Sequence, residues 1–211
     1  MTHLDGLYLI TPDTADAPGV LAAQVVQAVS GGVRLVQYRH KGPDRRLRRD
    51  QAAAVLGVCR IARVPFIVND DVALAAEIGA DGVHLGRDDG DPITARRRLG
   101  ADAIIGVSCY DDLALAQAAE RAGASYVAFG SFFPSVTKPH AVRASVELLS
   151  AARDSLRIPA VAIGGITPQN GERLIAAGAR MLAVVTGVFA QPDLAAAARA
   201  YASLFIDGDP R

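Results

Sequence analysis

The sequence predicts an α/β chain folded as one (β/α)8 TIM barrel. Three observations predict it. Eight short apolar runs recur along the 211 residues, separated by stretches of helical character. The runs lack clean polar alternation, as expected of strands buried on both faces of a parallel sheet. A punctuation phrase also repeats, in which a helix closes on small residues and the next strand begins: GGVRLVQ, GADGVHL, GASYVAF and GARMLAV. The competing architecture, an open doubly wound sheet, usually has fewer strands, and no GxGxxG opens after the first one.

The first strand is GLYLIT (6–11), followed by a helix over VLAAQVVQAVSGG (20–32) that glycine stops. RLVQYR (34–39) is the second strand. DRRLRRD (44–50) lies in the next helix, its arginines read as a solvated face. FIVND (66–70), the helix VALAAEIGAD (72–81) and GVHL (82–85) follow. ARRRLG (95–100) belongs to another helix and is read in the same way. AIIGVS (103–108), the helix DLALAQAAERAGA (112–124) and YVAFG (126–130) continue the beat. AVAIGG (160–165), the helix PQNGERLIAAGA (168–179) with proline in its first turn, and MLAVVT (181–186) complete it. The chain is shorter than the ~250 residues typical of the fold, so its loops are short. Residues 1–211 are expected to form one domain, with 207–211 a frayed tail.

Formal net charge is zero, which argues against a nucleic-acid partner. A few local cations still suffice for a small anion. Cys59 and Cys109 have no metal-ligand spacing and read as free thiols of a reducing compartment. MTHLDGLYLITPD lacks a basic stretch leading into a long apolar core, and no apolar run approaches the ~18 residues of a membrane span. A soluble, cytoplasmic protein without a membrane partner is expected; a homo-oligomer is left open.

Barrels of this type carry their chemistry at the C-terminal ends of the strands. The polar residues gather there. Strand two ends in Gln37 and Arg39 with Lys41 beyond, strand three in Asn69, Asp70 and Asp71, and strand four in His84 followed by GRDD (86–89). Strand five ends in Ser108, and strand six runs into SFFPSVTK (131–138). Strands seven and eight end in Gly164–Gly165 and in Thr186–Gly187. Carboxylates from neighbouring strands repel and suit a shared cation; oxygen ligands without thiolates favour Mg2+. Arg39, Lys41 and Lys138 beside it suit a diphosphate. The glycine turns offer backbone N–H groups to a second phosphate. Each feature alone has a plain alternative: Asp70 as a helix cap, His84 as a satisfied wall residue, Gly164–Gly165 as a tight turn.

These motifs resemble the thiamine-phosphate synthase family. QYRHK (37–41) fits its Q-x-R-x-K, and Asn69-Asp70 its N-D. HLGRDD (84–89) and GVS (106–108) fit the patterns after strands four and five. GSFFPSVTK (130–138), IGGI (163–166) and VVT (184–186) fit those after strands six to eight. The resemblance implies condensation of 4-amino-2-methyl-5-hydroxymethylpyrimidine diphosphate with a thiazole phosphate, releasing pyrophosphate. It implies catalytic roles for Arg39, Lys41, Ser108 and Lys138. Gln37, Tyr38, His40 and Asn69 would join them around the pyrimidine diphosphate. Asp70 and Asp89 would bind Mg2+, and Ser135, Val136, Thr137, Gly165, Val185 and Thr186 would contact the thiazole phosphate. Arg87, Ser131, Ser135 and Thr186 depart from the pattern, where glutamine, proline, threonine and serine stand. Two rival readings are a thiazole tautomerase on the same barrel and a non-catalytic phosphometabolite-binding barrel. The joint presence of Arg39, Lys41, Asp70, Asp89 and Lys138 speaks against both.

Overall fold

The structure, a computed structural model, describes residues 4–134 and 142–205. The elements run β1 (Gly6–Ile10), α1 (Pro18–Ser30), β2 (Val33–Tyr38), α2 (Arg45–Ala62), β3 (Phe66–Asn69), α3 (Val72–Ile78), β4 (Gly82–Leu85) and α4 (Pro92–Leu99). The second half follows with β5 (Ile104–Tyr110), α5 (Leu113–Arg121), β6 (Tyr126–Phe129), α6 (Val146–Ser155), β7 (Ala160–Ile163), α7 (Pro168–Ala176), β8 (Met181–Val184), α8 (Thr186–Phe189) and α9 (Leu194–Ala202). All eight strands pair in parallel and in sequence order, and β1 closes on β8 from Gly6↔Met181 to Leu9↔Val184. The expected eight-stranded barrel is therefore the observed one. The sequence reading did not name α6, α8 or α9, and β5 runs to Tyr110 rather than Ser108, with its register shifting between those two residues.

Strand alternation divides the core into two layers. Inside the barrel lie Tyr8, Ile10, Leu35, Ile67, Ile104, Tyr126, Val161 and Met181. The outward residues, such as Leu7, Leu9, Val36, Phe66 and Val68, pack with Leu21, Val25, Val55 and Leu149 of the helices. Polar inward positions thus sit at the upper end of the barrel, which is where the site forms. Cys59 and Cys109 are buried and free, and burial pushes both thiols up to about 12. Among the described residues no helix is long and apolar enough to cross a membrane.

The arginine clusters need a correction. Arg45, Arg46, Arg97 and Arg98 are exposed, as expected of a solvated face. Arg48 instead pairs with Asp71. Arg96 donates to Ala101 O (2.6 Å), Ala103 O (2.9 Å), Gly123 O (2.8 Å) and Ser125 Oγ (3.1 Å). Those acceptors lie before β5 and β6, at the barrel end opposite the strand-end residues. The long side chain reaches carbonyls of the turns that no backbone N–H pairs in the sheet.

Candidate functional site

The β2 end is held by the turn after β1. Arg39 N donates to Thr11 Oγ1 (2.9 Å) and Lys41 N to Asp13 Oδ2 (3.1 Å). The His40 ring nitrogen Nδ1 lies 2.9 Å from Asp13 Oδ1, and Arg39 Nη1 lies 3.6 Å from Asp13 Oδ2. Asp13 thus braces three consecutive basic residues. Sequence reasoning missed it, although an acid in a proline turn directly after the first strand is a usable signal. Tyr38 is a correction. Between inward Gln37 and Arg39 it must face outward, and its hydroxyl donates to Gln51 Oε1 (2.8 Å) in the layer under α2. Its side chain is not part of the site. The buried Gln51 donates in turn to Thr14 O and Asp16 O, so this outward contact steadies the β1 turn.

Two carboxylates meet beside this cation loop. Asp70 follows β3 with a left-handed φ of 64°, its amide donating to His84 O (2.8 Å), and its carboxylate pairs with the Lys41 ammonium. Asp71, not Asp70, caps α3 by accepting from Leu74 N (2.8 Å), which removes the plain alternative for Asp70. Asp89 Oδ2 accepts from Gly86 N (2.9 Å), curling the β4 loop back over itself. Burial, and then the Asp70 carboxyl beside it, raise the Asp89 carboxyl above the usual carboxylate range; Lys41 pulls the other way. Asp88 is exposed.

His40, Lys41, Arg48, Asn69, Asp70, Asp71, Val72 and Asp89 line one open cleft of about 420 Å³. A neighbouring groove of about 340 Å³ between α2 and α3 carries arginines but no strand-end residue except Asp71, so we assign the site to the first. Among the described residues no three His, Cys, Asp or Glu side chains converge. Two crowded carboxylates, one with a raised pKa, nevertheless fit a hard divalent cation that keeps waters and takes further oxygens from a phosphate.

Below the cleft a polar chain crosses the barrel interior. Gln37 Nε2 donates to Tyr8 Oη (2.5 Å), Tyr8 Oη lies 2.8 Å from Tyr126 Oη, and Tyr126 Oη lies 2.8 Å from His84 Nδ1. His84 Nε2 then reaches Ser108 Oγ at 2.8 Å. His84 is thus the satisfied wall histidine of the sequence reading, yet it touches Ser108. Room for it comes from Gly106: a Cβ there would collide with the Tyr126 ring end and lie 2.6 Å from His84 Nδ1. Tyr8 and Tyr126 were read only as strand residues.

On the far side, Gly164 (φ 102°) and Gly165 (φ 64°) turn the chain after β7. A Cβ on Gly164 would strike Ser131, and one on Gly165 would lie 2.8 Å from Phe133 Cβ. This close approach lets Phe132 N and Phe133 N donate to Ile163 O and Gly164 O. Ser131 N donates to Val142 O (2.9 Å), a bond that proline cannot make, and Ser131 O accepts from Ala144 N (3.1 Å). Val185 sits at the top of β8, and exposed Thr186 opens the short α8. Arg87 stacks its guanidinium 4.8 Å over the Tyr110 ring. Ser135, Val136, Thr137 and Lys138 lie outside the described residues.

Fold and cleft together define the class: a (β/α)8 barrel with a charged cleft at the carboxyl ends of its strands. Residues 7–188 match the family described as thiamine monophosphate synthase. A thiamine-phosphate synthase of Azoarcus sp. is 54% identical over 203 residues, covering 96% of this chain and 98% of the relative. Its counterpart in Chromobacterium violaceum is 55% identical over 203 residues, covering 96% and 97%. The solved thiamine phosphate pyrophosphorylase of Pyrococcus furiosus superposes with a TM-score of 0.85 at 30% identity, covering 96% of each chain. The chain belongs to the thiamine monophosphate synthase family and is a transferase of thiamine biosynthesis.

Proposed function

We propose that the chain joins 4-amino-2-methyl-5-hydroxymethylpyrimidine diphosphate to a thiazole phosphate, forming thiamine phosphate and pyrophosphate. The observation that carries this reading is the meeting of Lys41, Asp70 and Asp89 in one cleft, with Arg39 bound to the same Asp13 brace. A departing diphosphate needs cations on several sides, and Arg39 and Lys41 supply two of them. Lys138, by family resemblance, supplies a third. Asp70 and Asp89 would hold Mg2+, which when bound neutralises charge on the diphosphate oxygens.

The bond that breaks joins the pyrimidine methylene to the diphosphate. The electron-rich aminopyrimidine supports the cation left behind, and the thiazole nitrogen then captures it. No protein nucleophile or strong base is required, and Gln37, Asn69 and Ser108 have only to hold the ring in line. Gly165, Val185 and Thr186, with Ser135, Val136 and Thr137, are the residues we assign to the thiazole phosphate. The short α8 after β8 suits it, since barrels often bind phosphate at the N-terminus of such a helix. The test is Mg2+-dependent pyrophosphate release with both substrates. Release no faster than with either substrate alone would end this reading.

A further inference from the structure

A barrel interior is ordinarily filled by branched aliphatic side chains. Here five polar groups from five strands share that space with the aliphatic residues: Gln37 (β2), Tyr8 (β1), Tyr126 (β6), His84 (β4) and Ser108 (β5). Tyr8 is 1% exposed, Tyr126 0% and Gln37 2%, so each hydroxyl proton must find its acceptor inside the chain. The rings hold the geometry as well: Tyr8 meets Tyr126 edge to face at 5.8 Å between centroids, and His84 stacks on Tyr126 at 5.6 Å.

Proton counting gives the chain a direction. Gln37 Nε2–H donates to Tyr8. With the Gln37 amide nitrogen toward it, the Tyr8 hydroxyl keeps a buried acceptor only by donating to Tyr126. Tyr126, having accepted, donates to His84 Nδ1. That leaves the His84 proton on Nε2, where it is donated to Ser108 Oγ. Ser108 has then accepted, and its own proton points onward. The reverse run, with Tyr126 donating to Tyr8, requires the Gln37 amide turned over so that its Oε1 accepts the Tyr8 proton.

We infer that Tyr8, Tyr126 and His84 are positioning residues that set the hydrogen-bond polarity of the two ends of the chain. Gln37 presents its Oε1 as an acceptor and Ser108 presents its hydroxyl as a donor. The ligand they fit carries an exocyclic amine beside a ring nitrogen acceptor. A ring with a carbonyl in place of the amine offers the opposite pattern and leaves both ends mismatched. This rests on the function proposed above for its choice of ligand, whereas the direction of the chain follows from the Gln37 amide nitrogen facing Tyr8. Burial holds both phenols well above their usual range, so they act as neutral links rather than ions.

Two measurements test it. Nitrogen NMR of the full chain with labelled histidine, its His84 signal assigned by loss in His84→Gln, should give the tautomer with its proton on Nε2. Tyr126→Phe should bring in the other tautomer. A wild-type proton on Nδ1, or no change in Tyr126→Phe, overturns the inference whether or not the protein is active. Pyrophosphate release is then compared for the aminopyrimidine diphosphate and its 4-oxo analogue. The wild type should prefer the amine by about 1,000-fold or more, since a site built to pair a polar group rejects its mismatch strongly. Tyr126→Phe and, independently, Tyr8→Phe should cut that preference at least about tenfold, a loss of about 1.4 kcal/mol of discrimination. The KM for the thiazole phosphate should stay within about twofold. An unchanged preference in a folded variant overturns the inference. No pyrophosphate from wild type with either diphosphate refutes the proposed function instead, and the NMR result still decides the direction.

Discussion

Replacing Arg96 by alanine separates stability from chemistry in this barrel. The guanidinium contacts four acceptors at 2.6 to 3.1 Å, three of them backbone carbonyls, all on the end of the barrel away from the cleft. The carbonyls of Ala101 and Gly123 belong to exposed residues, so water replaces the arginine there at a loss of about 0.5–1 kcal/mol each. Ala103 is buried, and its carbonyl retains only a 3.4 Å contact from Ser125, which adds about 1 kcal/mol. The sum is about 2–3 kcal/mol. For a chain of this length that corresponds to a Tm lower by about 5–10 °C. Arg96→Lys, with a single ammonium, should recover about half. Thermal unfolding gives the stability, and kcat/KM for pyrophosphate release, measured well below the melt, should stay within about twofold. A Tm drop under about 2 °C would return Arg96 to the solvated helix face. A large fall in kcat/KM at the assay temperature would refute the separation of the two barrel ends.

Other outcomes follow from the cleft and the core. Asp89→Asn should raise the Mg2+ concentration needed for half-maximal pyrophosphate release about tenfold or more, equivalent to about 1.4 kcal/mol, whereas Asp88→Asn leaves it unchanged; equal effects would discard Asp89 as the metal residue. Without metal, the same Asp89→Asn protein should be the more stable one at neutral pH. The folded carboxyl has a raised pKa, so its cost to folding is absent below the unfolded value of about 3.9 and grows as pH rises through the folded one. Melts at pH 4 and pH 7 check this, and a stability gain that is equal at both counts against the crowding of Asp70 and Asp89. Cys59 and Cys109, buried and pushed up to about 12, should resist a thiol-specific disulfide reagent at pH 8 until the chain unfolds. Prompt reaction of either in the native protein would contradict their burial.

The fold was legible because apolar runs without alternation, closed by glycine-ended helices, admit few topologies. The two half-sites at β2 and β3–β4 were legible from residue type at strand ends alone. What escaped were features written in three dimensions. Asp13 is twenty-eight positions from Lys41 and meets it only because β1 pairs with β2. The tyrosines of the interior chain look like any strand aromatic until the closed sheet brings Tyr8 across to Tyr126. Tyr38 was misread because a motif names neighbours in sequence, whereas a strand sends them to opposite faces. Arg48 and Arg96 read as surface charge because a run of like residues hides which member the helix turns toward a carboxylate or a carbonyl.

Arg96 also marks a seam. The α4–β5 turn beside it divides the barrel into two half-barrels of four strands each. On the proposed reading, the first carries Gln37, Arg39, Lys41, Asn69, Asp70 and Asp89, while the second carries Ser108, Gly165, Val185 and Thr186. Neither half alone holds a complete reaction. The hydroxyl chain passes between the halves three times, from Tyr8 to Tyr126, back to His84, and over to Ser108. A gene cut at this turn would yield two fragments whose reunion restores every one of those bonds together, so recovered turnover would report fragment complementation directly.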